Sequence, residues 1–140
     1  MAQPLREIMT QQLRTCPPDT TLDEAARTMR DADVGDVIVV TDDGTVCGVV
    51  TDRDITIRAV AEDRDPSTVK IDEICSHDVA TVEPDTDAEE AARIMRERAV
   101  RRLPVTEEGK PVGIVSIGDL AVELDPDSAL ADISAARGND

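Results

Sequence analysis

Three features of the sequence predict an α/β (α+β) protein built as two tandem, pseudo-twofold repeats, each a small three-stranded sheet packed on two helices. The first is self-similarity. A shift of 66 positions lays Leu5-Arg6-Glu7-Ile8 on Ile71-Asp72-Glu73-Ile74, Pro18-Asp19-Thr20 on Pro84-Asp85-Thr86, and Leu22 to Arg30 on Ala88 to Arg96. One residue is lost near Val40, after which a shift of 65 lays Thr41-Asp42-Asp43-Gly44 on Thr106-Glu107-Glu108-Gly109 and Gly48-Val49-Val50-Thr51 on Gly113-Ile114-Val115-Ser116. The second feature is a change of hydrophobic period within each copy, from helical spacing to β-rich runs. The third is composition: 140 residues without Phe, Tyr or Trp suit one compact body with an aliphatic core of Val, Ile, Leu, Ala and Met.

Each copy opens with a short helical turn carrying an apolar pair, Leu5 and Ile8 or Ile71 and Ile74. A brief extended piece follows. Thr20 or Thr21, and Thr86 or Asp87, then stand where a helix can be capped, with Glu24 and Glu90 placed for a capping box. The stripes Leu22, Ala25, Ala26, Met29 and Ala88, Ala91, Ala92, Met95 run i, i+3, i+4, i+7 and predict one buried face per helix. Val37 to Val40 and Val46 to Val50 read as a hairpin across Asp43-Gly44. Leu103-Pro104-Val105 and Val112 to Ile117 repeat it across Glu108-Gly109, with Pro104 expected at a strand start or edge because it lacks an N–H. A last helix starts near Asp52 to Asp54 and runs through Ile55, Ile57 and Val60, or starts near Gly118-Asp119 and runs through Leu120 and Val122. The expected boundaries are residues 1–62 for the first repeat, a polar linker at 63–70 around Asp65-Pro66, 71–124 for the second repeat, and 125–140 for a short helix and tail.

A formal net charge of −16 repels polyphosphate, and without aromatic side chains there is nothing to stack on a base, so neither nucleic acid nor an anionic membrane is an expected partner. The same acid excess also serves as a plain soluble surface. Cys16, Cys47 and Cys75 show no C-x-x-C spacing, no secretory apolar run opens the chain, and no stretch approaches the roughly 20 apolar residues of a membrane span, so a cytoplasmic setting is expected. Cys75-Ser76-His77 offers two metal ligands in an unusual spacing. Cys16, Cys47 and Cys75 align with Val82, Val112 and Met9, so the expectation is buried small hydrophobes, a surface His77 and no metal. With no base, nucleophile or metal cluster in view, no enzyme is expected and no cofactor is required.

The segments Gly48-Val49-Val50-Thr51-Asp52-Arg53-Asp54 and Gly113-Ile114-Val115-Ser116-Ile117-Gly118-Asp119 are strand-to-helix junctions with a hydroxyl three residues before a carboxylate. Such a pair can be an ordinary cap, or it can leave helix N–H groups for an anion and a carboxylate for vicinal hydroxyls. The copies differ just before the first β-run: Arg101-Arg102 in the second stands where Gly35-Asp36 stands in the first. These arginines either form solvated pairs with the abundant acids or meet a phosphate.

The duplicated unit, with its G-V-V-T-D-R-D and G-I-V-S-I-G-D junctions and its R-R-L-P-V strand, resembles the CBS domain family, and the pair resembles a Bateman module of a bacterial or archaeal CBS protein. The arginine-rich basic set, with Lys70 and Lys110 the only lysines, agrees with such a source. The resemblance implies a regulatory module that binds AMP, ADP, ATP or S-adenosylmethionine in clefts between the repeats. It places Asp54 and Asp119 on the ribose hydroxyls, Thr51 and Ser116 toward phosphate, Arg101 or Arg102 on phosphate, and Thr15 and Thr81 beside the base. It also implies a homodimer and an effector protein that reads its state. The alternative is a structural or interaction dimer with empty clefts. Ile38 in place of Pro104 and the missing arginines lead us to expect unequal sites, one good and one weak or empty.

Overall fold

The structure is a computed structural model, and it describes residues 3–77, 79–125 and Ile133. The chain forms two compact units whose membership crosses the repeat boundary: one is Leu13–Val79, the other Met1–Gln12 together with Ala80–Asp140. We call them the N-unit and the C-unit. Each repeat therefore lends its opening turn to the unit built mainly from the other repeat.

In the N-unit the order is β1 (Thr15–Cys16), α1 (Leu22–Ala32), β2 (Asp36–Val40), β3 (Val46–Thr51) and α2 (Asp52–Ile55), followed by a π-helical turn over Thr56–Val60 and a 3-10 turn over Ile71–Glu73. The sheet order is β1-β2-β3, with β1 parallel and β3 antiparallel to β2. Leu22, Ala25 and Met29 of α1 are buried on Val37, Val39 and Val50 of the sheet, and Ile71, Ile74 and Cys75 complete the same core. Ile71 is drawn in by backbone bonds: its N–H donates to the Thr20 carbonyl at 2.8 Å, and the Leu22 N–H donates to the Val69 carbonyl at 3.0 Å.

The C-unit repeats the plan with α3 (Ala88–Arg98), β4 (Arg102–Glu107), β5 (Lys110–Ser116) and α4 (Ile117–Leu124). Its core joins Leu5 to Ala88, Ala91, Met95, Leu103, Val105, Val115 and Leu120. The Leu5 N–H donates to the Thr86 carbonyl at 2.9 Å, and Thr10 exchanges backbone bonds with Ile114. The β4–β5 turn puts Glu108 at φ 54° and Gly109 at φ 83°, two consecutive left-handed residues as a type I′ hairpin requires. Both long helices end alike. Asp33 and Ala99 take left-handed φ of 55°, and the following Val34 and Val100 donate back to Met29 and Met95 at 3.0 Å, the 6→1 closure of a Schellman motif.

Several expectations are corrected. Ala26 is exposed and Ala92 only half-buried, because the i+4 position falls beyond the edge of the face set by Leu22, Ala25 and Met29. Neither long helix has the capping box. The Thr21 hydroxyl turns to the Asp23 carboxylate, which also accepts the Glu24 N–H, and Glu90 is held by Arg93 while Asp87 caps α3 by accepting from the Glu89 N–H. The last helix of the first repeat winds as α and then π, which buries Ala59 and leaves Ile57 and Val60 exposed. Within 63–70, Val69 is buried in the N-unit core rather than lying in a polar linker.

Pro104 is inside β4, opposite Ile114, rather than at its start, but β4 is an edge strand of a two-stranded sheet, the other place expected for it. In the N-unit the residue at that position, Ile38, donates its N–H to Arg14 at 2.9 Å and so helps to form β1. Pro104 has no such donor. The third strand of the C-unit is accordingly cut to one bridge, Val82 with Val105, held by Val82 N–H to the Pro104 carbonyl and Thr106 N–H to the Val82 carbonyl. Thus the sheet has two strands and a bridge where three strands were expected. The short helix expected at 129–133 and its cap at Asp127 or Ser128 lie outside the described residues, Ile133 excepted. No described helix is long and apolar enough to cross a membrane.

Ownership of the opening segment is directly testable. Leu5 is fully buried in the C-unit, so Leu5→Ala should cost about 2–5 kcal/mol in denaturant unfolding. Amide exchange should accelerate in α3, β4 and β5 while β2 and β3 keep their protection.

Candidate functional site

The two strand-to-helix junctions are closed by reciprocal caps. In the N-unit the Thr51 N–H donates to Asp54 Oδ2 at 2.9 Å and the Asp54 N–H donates to Thr51 Oγ1 at 3.1 Å. In the C-unit the Ser116 N–H donates to Asp119 Oδ2 at 2.8 Å and the Asp119 N–H to Ser116 Oγ at 3.1 Å. One carboxylate oxygen of each aspartate is thus committed to its cap, which fixes the side chain at the start of α2 or α4. Both aspartates are half-buried.

The second oxygen meets different surroundings in the two units. Asp54 Oδ1 has the Arg58 Nε at 3.9 Å, and the same guanidinium donates to the Ile74 carbonyl at 2.9 Å, which holds it there. The aligned residue in the second repeat is Glu123, so this cation is replaced by an anion. Arg58 is the residue that sequence reasoning missed; its placement one turn after Asp54 was the available signal.

The remaining expected site residues fall at one end of each sheet. Arg102 pairs with Ser116 in the β4–β5 register, and the Arg101 carbonyl accepts the Ile117 N–H at 2.8 Å. Arg101, Arg102 and Thr81 are exposed, Thr81 being next to the bridging Val82. In the N-unit Asp36 pairs with Thr51, the Gly35 carbonyl accepts the Asp52 N–H at 3.0 Å, and exposed Thr15 pairs with Ile38. Thr81, Arg101, Arg102, Ser116 and Asp119 therefore belong to the C-unit, and Thr15, Thr51 and Asp54 to the N-unit. The same backbone positions carry two arginines in one unit and a glycine and an aspartate in the other.

The comparisons with known proteins decide the family. The CBS domain model matches residues 5–60 and 71–125. The chain belongs to the CBS domain family, as a tandem pair. The CBS domain-containing protein YhcV of Bacillus subtilis (strain 168) is 38% identical over 118 residues, covering 84% of this chain and 83% of the relative. Hypoxic response protein 1 of Mycobacterium tuberculosis is 35% identical over 125 residues, 89% of this chain and 87% of the relative. A solved structure of Hypoxic Response Protein I, described as having two coordinated zinc ions, superposes with a TM-score of 0.79 at 34% identity, over 87% of this chain and 99% of that one. The CBS domain pair of protein MJ0100, solved in complex with 5-methylthioadenosine and S-adenosyl-L-methionine, shares the fold at a TM-score of 0.82 and 22% identity, over 91% of this chain and 100% of that one.

All three cysteines of this CBS pair lie in the N-unit and are free. Burial pushes the Cys16 and Cys75 thiols up to about 11 and raises that of Cys47. Sequence reasoning saw Cys75 and His77 as a pair; the structure adds Asp72 to them, with the donor atoms of all three within 4.8 Å of one another.

The Cys16 shift has a consequence for alkaline stability. Its ordinary value is 9.0, so above that pH the unfolded chain releases the proton while the folded chain holds it. Stability from this group is full below pH 9.0 and is lost as pH rises through about 11. Cys16→Val, which installs the residue found at the aligned Val82, should flatten that loss in urea unfolding between those pH values.

Proposed function

We propose that this CBS pair is a non-catalytic regulatory module that binds an adenine nucleotide or adenosyl compound at the Ser116–Asp119 junction, with Asp119 on the ribose hydroxyls, Ser116 and Arg101 or Arg102 at the phosphate, and Thr81 beside the base. The observation that carries this reading is the coincidence of a capped carboxylate and two cations at one end of the C-unit sheet. A guanidinium is a good partner for phosphate because it is planar, permanently charged and bidentate. The Thr51–Asp54 junction, with Thr15 nearby, is the weaker site: it faces Asp36 instead of the arginines, and Arg58 already lies toward Asp54. An unequal pair of sites follows from those charges.

Self-association fits the same surface. Val100, Ile117 and Leu124 are exposed, and with Ala92, Met95, Leu120 and Ala121 they line a groove of about 280 Å³ between α3 and α4. The N-unit exposes Ile57 and Val60 on its π-helical turn and Val34 just past the end of α1. Two copies of the chain packing these faces together form a homodimer whose state an effector protein reads, and nucleotide occupancy at the start of α4 biases that interface.

The test is a thermal-unfolding titration with AMP, ADP, ATP and S-adenosylmethionine. At a free ligand concentration about a hundredfold above Kd, the folded state should gain about 2.7 kcal/mol. Asp119→Ala should abolish the gain, Asp54→Ala should leave most of it, and each variant is read against its own ligand-free baseline because its cap is also lost. No gain with any ligand in folded protein would favour a structural or interaction dimer. For self-association, Val100→Glu combined with Leu124→Glu should convert a dimer to a monomer in light scattering, with the circular dichroism unchanged.

A further inference from the structure

The N-unit holds a mixed cluster that the nucleotide reading does not use. We propose that Asp72, Cys75 and His77 form a binding site for a borderline-soft divalent transition-metal ion of the Zn²⁺ type. Their spacing fits such an ion. Cys75 Sγ lies 3.6 Å from His77 Nε2, and His77 Nε2 lies 3.6 Å from Asp72 Oδ1. With bonds of about 2.3 Å to sulfur, about 2.0 Å to nitrogen and about 2.1 Å to oxygen, a tetrahedral ion sets its ligands about 3.5 Å apart for S···N and about 3.4 Å apart for N···O. The S···N and N···O pairs already stand within a few tenths of an ångström of those separations, and all three donors lie within 4.8 Å of one another. Three protein ligands leave a fourth position for water.

Backbone hydrogen bonds hold the cluster in place. The Cys75 N–H donates to the Ile71 carbonyl at 2.8 Å, and Ser76 exchanges backbone bonds with Val49 at 3.2 and 3.3 Å. This pins the segment between two ligands to β3. A Cβ on Gly48 would meet Cys75 Sγ at 2.9 Å and the Ser76 carbonyl oxygen at 2.7 Å, so the bare glycine is what admits the sulfur. Cys75 is buried whereas Asp72 and His77 are exposed; the thiol anchors the site from the core and the other two close over it from solvent. His77 Nε2 is also 3.0 Å from the Asp72 carbonyl. Without metal that nitrogen can donate to the carbonyl. To coordinate, it carries no proton and the ring proton sits on Nδ1.

The first repeat supplies an internal control. The positions aligned with Asp72, Cys75 and His77 are Arg6, Met9 and Gln11. The Met9 sulfur presses on Gly113 as the Cys75 sulfur presses on Gly48, so filling that space explains a sulfur in either repeat. It does not explain the exchange of a cation for a carboxylate and of an amide for an imidazole around it. All three positions differ together, and together they turn a set that repels or barely holds a divalent ion into one with thiol, imidazole and carboxylate donors.

The experiment is a Co²⁺ titration of the full chain, reduced and stripped with a chelator, followed by displacement with Zn²⁺. The expected result is one ion per chain with a thiolate-to-cobalt charge-transfer band and tetrahedral d–d absorption, both abolished by Zn²⁺. Cys75→Ala should remove the band. His77→Ala and Asp72→Asn, at exposed positions that leave the fold intact, should each weaken binding by about tenfold or more, and Cys16→Val should change nothing. The proposal is overturned if folded wild-type protein shows no charge-transfer band, if neither His77→Ala nor Asp72→Asn weakens binding, or if the band survives Cys75→Ala. These variants leave Ser116 and Asp119 untouched, so the nucleotide reading stands or falls separately.

Discussion

Each unit's core is closed by a turn from the opposite repeat, and this exchange is the constraint on which the rest of the structure depends. Leu5 and Ile71 are fully buried and are held by backbone bonds to Thr86 and Thr20. Without them the apolar faces of α3 and α1 would lack one wall. The same segments run on to Thr10, which pairs with Ile114, and to Ser76, which pairs with Val49. They therefore cover the free side of β5 and β3, an edge that would otherwise offer unpaired backbone groups. The register that sets Ser116 opposite Arg102 and Thr51 opposite Asp36 is built on strands stabilised from both sides.

Much of this was legible in the residues because local physics and the duplication agreed. The stripe Leu22, Ala25, Met29 and its copy had one buried face to find, and the hydroxyl–carboxylate pairs at Thr51 and Ser116 have the spacing of the capping boxes they form, one of the two uses open to them. Ownership of the opening turns was hidden for a physical reason: Leu5 and Ile71 are chemically alike, and either core would accept either side chain. The loss of the third strand was written in Pro104 but required knowing which side of β4 its nitrogen faced. Arg58 stands at the plain i, i+4 spacing from Asp54 and was legible there, whereas the Asp72–Cys75–His77 grouping was obscured because it spans a 3-10 turn and the residues after it, whose spacings are not those of a helix face.

The two repeats keep one scaffold and differ in charge. Arg101-Arg102 against Gly35-Asp36, Glu123 against Arg58, and Asp72 against Arg6 all invert or shift the local sign at equivalent backbone positions. A net charge of −16 makes each remaining cluster of cations more distinctive, since an anionic ligand is repelled by most of the surface. Duplication supplies two equivalent frames, and the side chains on them make the two frames chemically distinct.

The shared opening turns also impose an order on synthesis. Once Val79 has been made, the N-unit possesses every segment of its own body and can close. Leu5, made earlier still, cannot be buried until its partners in the second repeat arrive, and neighbouring Gln3 bonds Asp87, 84 positions later. At translation rates of about 5–20 residues per second the wait is roughly 4–17 s. Leu5 therefore leaves water only after the second repeat has been made, and the ribosome itself sets the interval during which that turn is open to other contacts.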